Sequence, residues 1–130
     1  MAKKKSIFQR WQRQCETGDE HFDSDLKSHY YKTAFDKVYQ TVIDMFEKNP
    51  NITVSTTSKE RGEIAAQLHK NPKAFIVATV IQVRPFEVSV DFMISSESFA
   101  PLGLYPKLKS VVESFYKYLD QQLPFSGKKN

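Results

Sequence analysis

The stretch CETGDEHFDSDLKSH, residues 15–29, gathers Cys15, His21, Asp23, Asp25 and His29. A thiol, two imidazoles and two carboxylates are the ligand types that hold zinc or another divalent ion. Their spacing, Cys-x5-His-x-Asp-x-Asp-x3-His, matches no familiar zinc template, and an acidic linker beside basic ends accounts for the carboxylates without a metal. No metal site and no cofactor is therefore expected. Cys15 would serve as a nucleophile only with a His beside it in a preorganised site, and it lies in a segment with little to hold it rigid. Ser95, Ser96, Glu97 and Ser98 form a polar loop of a kind that often binds ligands. No G-x-S-x-G elbow, Gly-rich phosphate loop, H-E-x-x-H or clustered C-x-x-C accompanies it. Glu87 and Asp91, four residues apart on one strand face, have the types of an acid and base pair, but a solvent-facing strand explains them more simply. No catalytic residue is assigned, and the chain is expected not to be an enzyme.

A second chemistry stands at the start of the sequence. Residues 1–15, MAKKKSIFQRWQRQC, carry Lys3, Lys4, Lys5, Arg10 and Arg13 and no acid. If residues 5–15 are helical, the 3.6-residue repeat places Ile7, Phe8, Trp11 and Cys15 within an arc of about 100°, opposite Lys5, Gln9, Arg10 and Arg13. This is the profile of a short interfacial helix, with Lys4 interrupting the apolar arc, and also of an arm that packs on protein. The net charge of +4 belongs to the ends: residues 16–127 hold 12 cations and 15 acids, a net charge of −3. A mildly acidic body has no bulk electrostatic reason to hold a phosphate backbone, so weak nucleic-acid or membrane-surface binding through the basic ends is a lesser alternative. The leading expectation is a protein partner, or a second copy of the chain, contacted through Ile7, Phe8, Arg10, Trp11 and Arg13.

A single Cys leaves no internal disulfide framework and fits a reducing compartment. The run AFIVATVI, residues 74–81, is far short of the roughly 20 apolar residues of a membrane-crossing helix. The lysines near the start lead into IFQRWQRQ rather than a continuous apolar stretch, so no signal peptide is expected and the reading is a cytoplasmic protein.

The elements that position these residues follow from periodicity. LKSHYYK, 26–32, alternates like a short strand. In TAFDKVYQTVIDMFEK the residues Ala34, Phe35, Val38, Tyr39, Val42, Ile43, Met45 and Phe46 fall on one half of a helical wheel. Thr33 is placed to cap that helix, with Asp36 three residues on, and Asn49-Pro50 stops it. ITVSTTSK and GEIAAQLH alternate as strands around a Glu60-Arg61-Gly62 turn. KAFIVATVIQV is apolar on both parities, with Phe75, Val77, Ile81 and Val83 on one face and Ile76, Ala78 and Val80 on the other. FEVSVDFMI puts Phe86, Val88, Val90, Phe92 and Ile94 on one face. A second amphipathic helix runs through KLKSVVESFYKYLDQQL.

The fold class expected is α+β: a two-layer β-α-β-β-β-β-α unit with both helices on one face of a single antiparallel sheet. A basic arm and acidic linker (1–25) precede the domain (26–124), and a basic tail (125–130) follows. The opposite sheet face would carry Thr53, Ser55, Glu63, Ala65, Gln67, Ile76, Ala78, Val80, Glu87, Ser89 and Asp91. The element order over residues 26–123 resembles the repeat unit of TATA-box-binding-protein-like folds and, more distantly, helix-grip lipid-binding domains. The body also resembles small uncharacterised cytosolic proteins of Gram-positive bacteria. The minor-groove saddle that the first likeness implies needs a basic sheet face, whereas this one holds Glu63, Glu87 and Asp91. The function expected is a non-enzymatic binding or adaptor domain using the arm and the mixed sheet face. The alternative is a carrier of a small apolar ligand between sheet and C-terminal helix, rimmed by Tyr30, Tyr31, Phe99, Tyr105 and Phe125.

Overall fold

The computed structural model describes residues 14–21, 23–98 and 103–128. Its strands are β1 (Gln14–Glu16), β2 (His29–Tyr31), β3 (Ile52–Ser58), β4 (Glu63–Leu68), β5 (Ala74–Arg84), β6 (Glu87–Ser95) and β7 (Phe125–Lys128), and its helices are α1 (Phe35–Lys48) and α2 (Tyr105–Gln122). One antiparallel sheet runs β3-β4-β5-β6-β2-β7, with β1 paired to β6 beyond the end of β2. Both helices pack on the same face of it, α1 over β3 and β5, α2 over β1, β6 and β7. The sheet is wider than residues 26–124 allow, because Gln14–Glu16 and Phe125–Lys128 join it as strands.

The helix faces form as the wheel requires. Val38, Tyr39, Val42, Met45 and Phe46 of α1 are buried, as are Leu108, Val112, Phe115, Tyr116 and Leu119 of α2. Against them stand Ile64, Ala66, Ile76, Ala78, Val90, Phe92 and Ile94 from the sheet. Each large apolar side chain buried in this way stabilises the fold by about 1.5–3 kcal/mol. The cap of α1 differs from expectation: Ala34 is the N-cap and makes no side-chain bond, while its carbonyl accepts from Lys37 and Val38. Asp36 in the first turn pairs instead with Lys59 at 3.2 Å. Pro106 lies in the first turn of α2, where a missing N–H costs nothing.

The tight turn between β3 and β4 depends on Gly62, whose φ is +71° and whose carbonyl accepts from Val80 at 2.7 Å. Besides the irregularity where Tyr30 and Tyr31 meet Gly127 and Phe125, two bulges shape the sheet. One at Ser55 bends edge strand β3. The other lies between Gln82 and Arg84: Gln82 pairs with Val88 and Arg84 with Glu87, leaving Val83 extra.

That second bulge corrects the sequence reading of β5. Without it Val83 would lie opposite Val88, and every odd-numbered residue of β5 would face the helices. One extra residue inverts the parity of the strand, since side chains alternate with period two. Ile76, Ala78 and Val80 are therefore core, while Phe75, Val77, Ile81 and Val83 lie on the open face. Phe86, expected in the core, stands at the hairpin tip.

Candidate functional site: the open sheet face

The pairing register assigns the helix-free face of the sheet. Glu63, Thr79 and Asp91 form one cross-strand row; Ala65, Val77, Met93 and Glu16 the next; Gln67, Phe75, Ser95 and Gln14 the next. Ile81, Ser89 and Tyr30 align toward the hairpin end. An apolar strip thus runs along β5, broken at Thr79 by the polar row that it shares with Glu63 and Asp91. Phe75 is 41%, Ile81 46%, Val83 44% and Phe86 70% exposed, with Ala65, Val77 and Met93 half-buried beside them. Carboxylates flank the strip at Glu16, Glu63, Glu87 and Asp91, and Arg84, which binds Glu87 at 2.7 Å, is the cation on these rows among the described residues.

The hairpin tip is strained. Pro85 and Phe86 join β5 to β6, and Phe86 has φ +58°, in the region that a turn of this kind reserves for Gly or Asn. Beyond Val80, β5 pairs with no described residue on its β4 side, so no described strand covers that backbone edge of the hairpin's last turn.

Asp91 has a definite task on this face. It accepts hydrogen bonds from Thr17 Oγ1 at 2.7 Å and Ser28 Oγ at 2.5 Å, while Phe92 N–H donates to Thr17 Oγ1 at 2.9 Å. Thr17 and Ser28 are the two ends of the excursion between β1 and β2, so one carboxylate closes it. Glu87 is held by Arg84. The Glu87 and Asp91 carboxylates thus bind separate partners.

The cluster Cys15, His21, Asp23, Asp25 and His29 is dispersed by the fold. Cys15 is buried on the core face of β1, hydrogen-bonded to the Tyr105 side chain. It is a strand residue, so it shares no helical arc with Trp11. His21 Nδ1 accepts from the Asp23 backbone. Asp23 holds the Lys109 ammonium at 2.6 Å, with Asp25 at 3.5 Å, and the hydrogen bond to Asp23 moves the Lys109 pKa up. His29 turns to α2, its ring stacked on Tyr116 at 3.7 Å and on Phe125 at 4.9 Å, its Nδ1 2.9 Å from Asp120 Oδ1. The Tyr31 hydroxyl donates to the same carboxylate oxygen at 2.7 Å, and burial followed by that bond pushes the Tyr31 pKa far up. This network ties β2 and β7 to α2. Among the described residues no group of three or more His, Cys, Asp or Glu is placed to hold a metal ion.

No family model matches the chain, and no curated protein matches it. Ser96 and Ser98 both donate to the Lys73 carbonyl, fastening the serine loop to the end of β5. Beside it an open recess of about 390 Å³ is lined by Gln67, Lys73, Ala74, Phe75 and residues 95–98. The residues expected to rim a ligand cavity are scattered. Tyr31 and Tyr105 are buried, Tyr30 binds Asp19 on the open face, Phe125 stacks on His29, and Phe99 lies outside the described residues. Rings of Phe46, Phe92, Phe115 and Tyr116 fill the space beneath α2. Ile7, Phe8, Arg10, Trp11 and Arg13 also lie outside the described residues. Sequence reasoning missed Phe75, Val77, Ile81, Val83 and Phe86 as surface residues, and the bulge that exposes them leaves no mark in the hydropathy pattern.

Burial raises the Cys15 pKa to about 11 from 9.0. At pH 8 this lowers the thiolate fraction about a hundredfold relative to an unperturbed thiol, since only the thiolate reacts. A disulfide reagent such as Ellman's is therefore expected to label the folded chain at least about tenfold more slowly than the urea-unfolded chain, the greater nucleophilicity of a high-pKa thiolate returning part of the lost fraction. Comparable rates would show that Cys15 is accessible.

Proposed function

We propose that the chain is a non-enzymatic protein-binding domain whose contact surface is the open face of the sheet and the β5–β6 hairpin tip. The observation that carries this reading is Phe86, a large aromatic side chain 70% exposed on a left-handed backbone. Such a residue costs the free protein roughly 1–2 kcal/mol in backbone strain and returns no burial. Removing it serves stability, so its presence is explained by a contact made in a complex. Ile81 and Val83 extend the same surface, and an apolar patch rimmed by charge is the form that interaction sites take. No described helix is long and apolar enough to cross a membrane. Capture of a partner through this face is the role that the exposed Phe86, Ile81 and Val83 support.

The test is crosslinking in cells from a photoreactive residue at position 81, with position 41 on the exposed side of α1 as control. A discrete adduct from 81 alone, abolished in Phe86→Asp, is the expected result. Purified Phe86→Gly should at the same time be more stable than the parent by up to about 1 kcal/mol, because glycine relieves the strain. Equal adducts from both positions, or an adduct indifferent to Phe86→Asp, would overturn the reading.

A further inference from the structure

We propose that the partner meets this face with an extended segment carrying one cation, Arg or Lys, between apolar residues, and that the Glu63–Thr79–Asp91 row reads the cation. This rests on the reading of the open face as the contact surface, and it names the chemistry of what that surface takes.

The order of side chains along β5 sets the pattern. Phe75 and Val77 precede Thr79 on the open face, and Ile81 and Val83 follow it. At this break Glu63 of β4 pairs with Thr79 from one side and Asp91 of β6 from the other. Neighbouring strands lie about 4.8 Å apart, so two carboxylates bracket the strip from backbones about 10 Å apart. Glu63 is exposed, and among the described residues neither Glu63 nor Asp91 has an ion pair. Asp91 is already oriented. Thr17 and Ser28 both donate to its Oδ1, which leaves Oδ2 to a further donor among the groups that approach this face. A carboxylate held in place by two hydrogen bonds loses little freedom when a cation arrives. Glu16, at the end of the Ala65–Val77–Met93 row, adds a further negative charge beside the strip.

Charge decides between occupants. A second copy presenting the same face would set these carboxylates against their equivalents, and like charges brought together at an interface are costly. An acidic segment meets the same repulsion. A cationic segment is attracted, and its fit to the strip follows from geometry. Alternate side chains of an extended chain share a face and rise in step with those of β5. A cation over Thr79 therefore brings apolar residues two and four positions away over Val77 and Phe75 on one side and over Ile81 and Val83 on the other. The polar break in the strip thus fixes the register of the partner.

The probe is a phage-displayed library of random twelve-residue peptides. It is selected on the full chain and, separately, on Glu63→Lys and Asp91→Asn, whose folding is checked by circular dichroism. Asp91→Asn keeps an oxygen for Thr17 and Ser28 and removes the charge. Sequences selected on the parent are expected to carry Arg or Lys with apolar residues two and four positions away. A synthetic peptide of that consensus should bind about tenfold more weakly when Ala replaces the cation, and about as much more weakly to Asp91→Asn. Selection on Glu63→Lys should lose the cation. Selected peptides without a central cation, an unchanged consensus on Glu63→Lys, or no binder to the parent overturns the proposal. Sedimentation of the parent as a dimer that Phe86→Asp disperses assigns the face to a second copy and also overturns it. The crosslink from position 81 separates the two readings: an adduct that persists while selection ignores Glu63 overturns the cation subsite alone, whereas loss of the adduct overturns the binding reading.

Discussion

Gly62→Ala is expected to destabilise the fold by at least about 3 kcal/mol, a large share of the roughly 5–15 kcal/mol that holds a domain together. Two costs add. Gly62 sits at φ +71°, where a Cβ costs about 1–2 kcal/mol. That Cβ would also stand 2.1 Å from the Val80 carbonyl oxygen and 3.2 Å from its carbon, and neither is the mobile end of a side chain. Relief requires β4 and β5 to separate at the point where Val80 N–H donates to Gly62 O, forfeiting that bond as well. Thermal unfolding should fall by roughly 10 °C or more. Gly18→Ala supplies the control, because a Cβ there meets nothing within 4 Å, and its change should stay within about 0.5 kcal/mol. Equal effects at the two glycines would refute the close approach at the turn. The consequence reaches the open face, since β4 carries Glu63, Ala65 and Gln67 into the rows beside the apolar strip.

How much of this was legible beforehand depended on how local each determinant is. The two helices declared themselves, because their apolar residues recur along one continuous segment and Pro50 and Pro124 mark their ends. Strands β4 and β6 kept the parity that their alternation predicts, and β3 kept it as far as the bulge at Ser55. Strand β5 did not, because both of its parities are apolar and the deciding feature is one unpaired residue, Val83. Strands β1 and β7 have three and four residues, too few for a period to show, and their partners lie far away in sequence. The same distance hid the network on Asp120, where His29 and Tyr31 meet a carboxylate about ninety residues on. His29 was visible as a titratable residue beside others of its kind, but the fold gives it aromatic neighbours and one carboxylate from another element. The candidate site was therefore half legible: Glu63, Glu87 and Asp91 were placed on the correct face, Glu16 was read as linker, and the apolar strip was placed on the wrong face.

Phe92→Ala should cost about 3–5 kcal/mol, the range for a large aromatic ring removed from a core that cannot collapse around the void. Phe92 is 1% exposed and stands where the sheet meets both helices, its ring 5.1 Å from Phe115, 5.2 Å from Tyr116 and 6.5 Å from Phe46. Its backbone N–H and C=O bond Thr17, so loosening β6 here also loosens the closure that Asp91 makes next door. Phe92→Leu, which keeps most of the volume, should cost much less, on the order of 1 kcal/mol. The informative comparison is with Phe86, the same residue type on the same hairpin. Phe92→Ala lowers the urea midpoint strongly, whereas Phe86→Gly raises it slightly, because one ring is enclosed by three others and the other is displayed on a strained backbone. Midpoints that move in the same direction would contradict the division of β6 and its hairpin into a core-facing strand and a tip kept for contact.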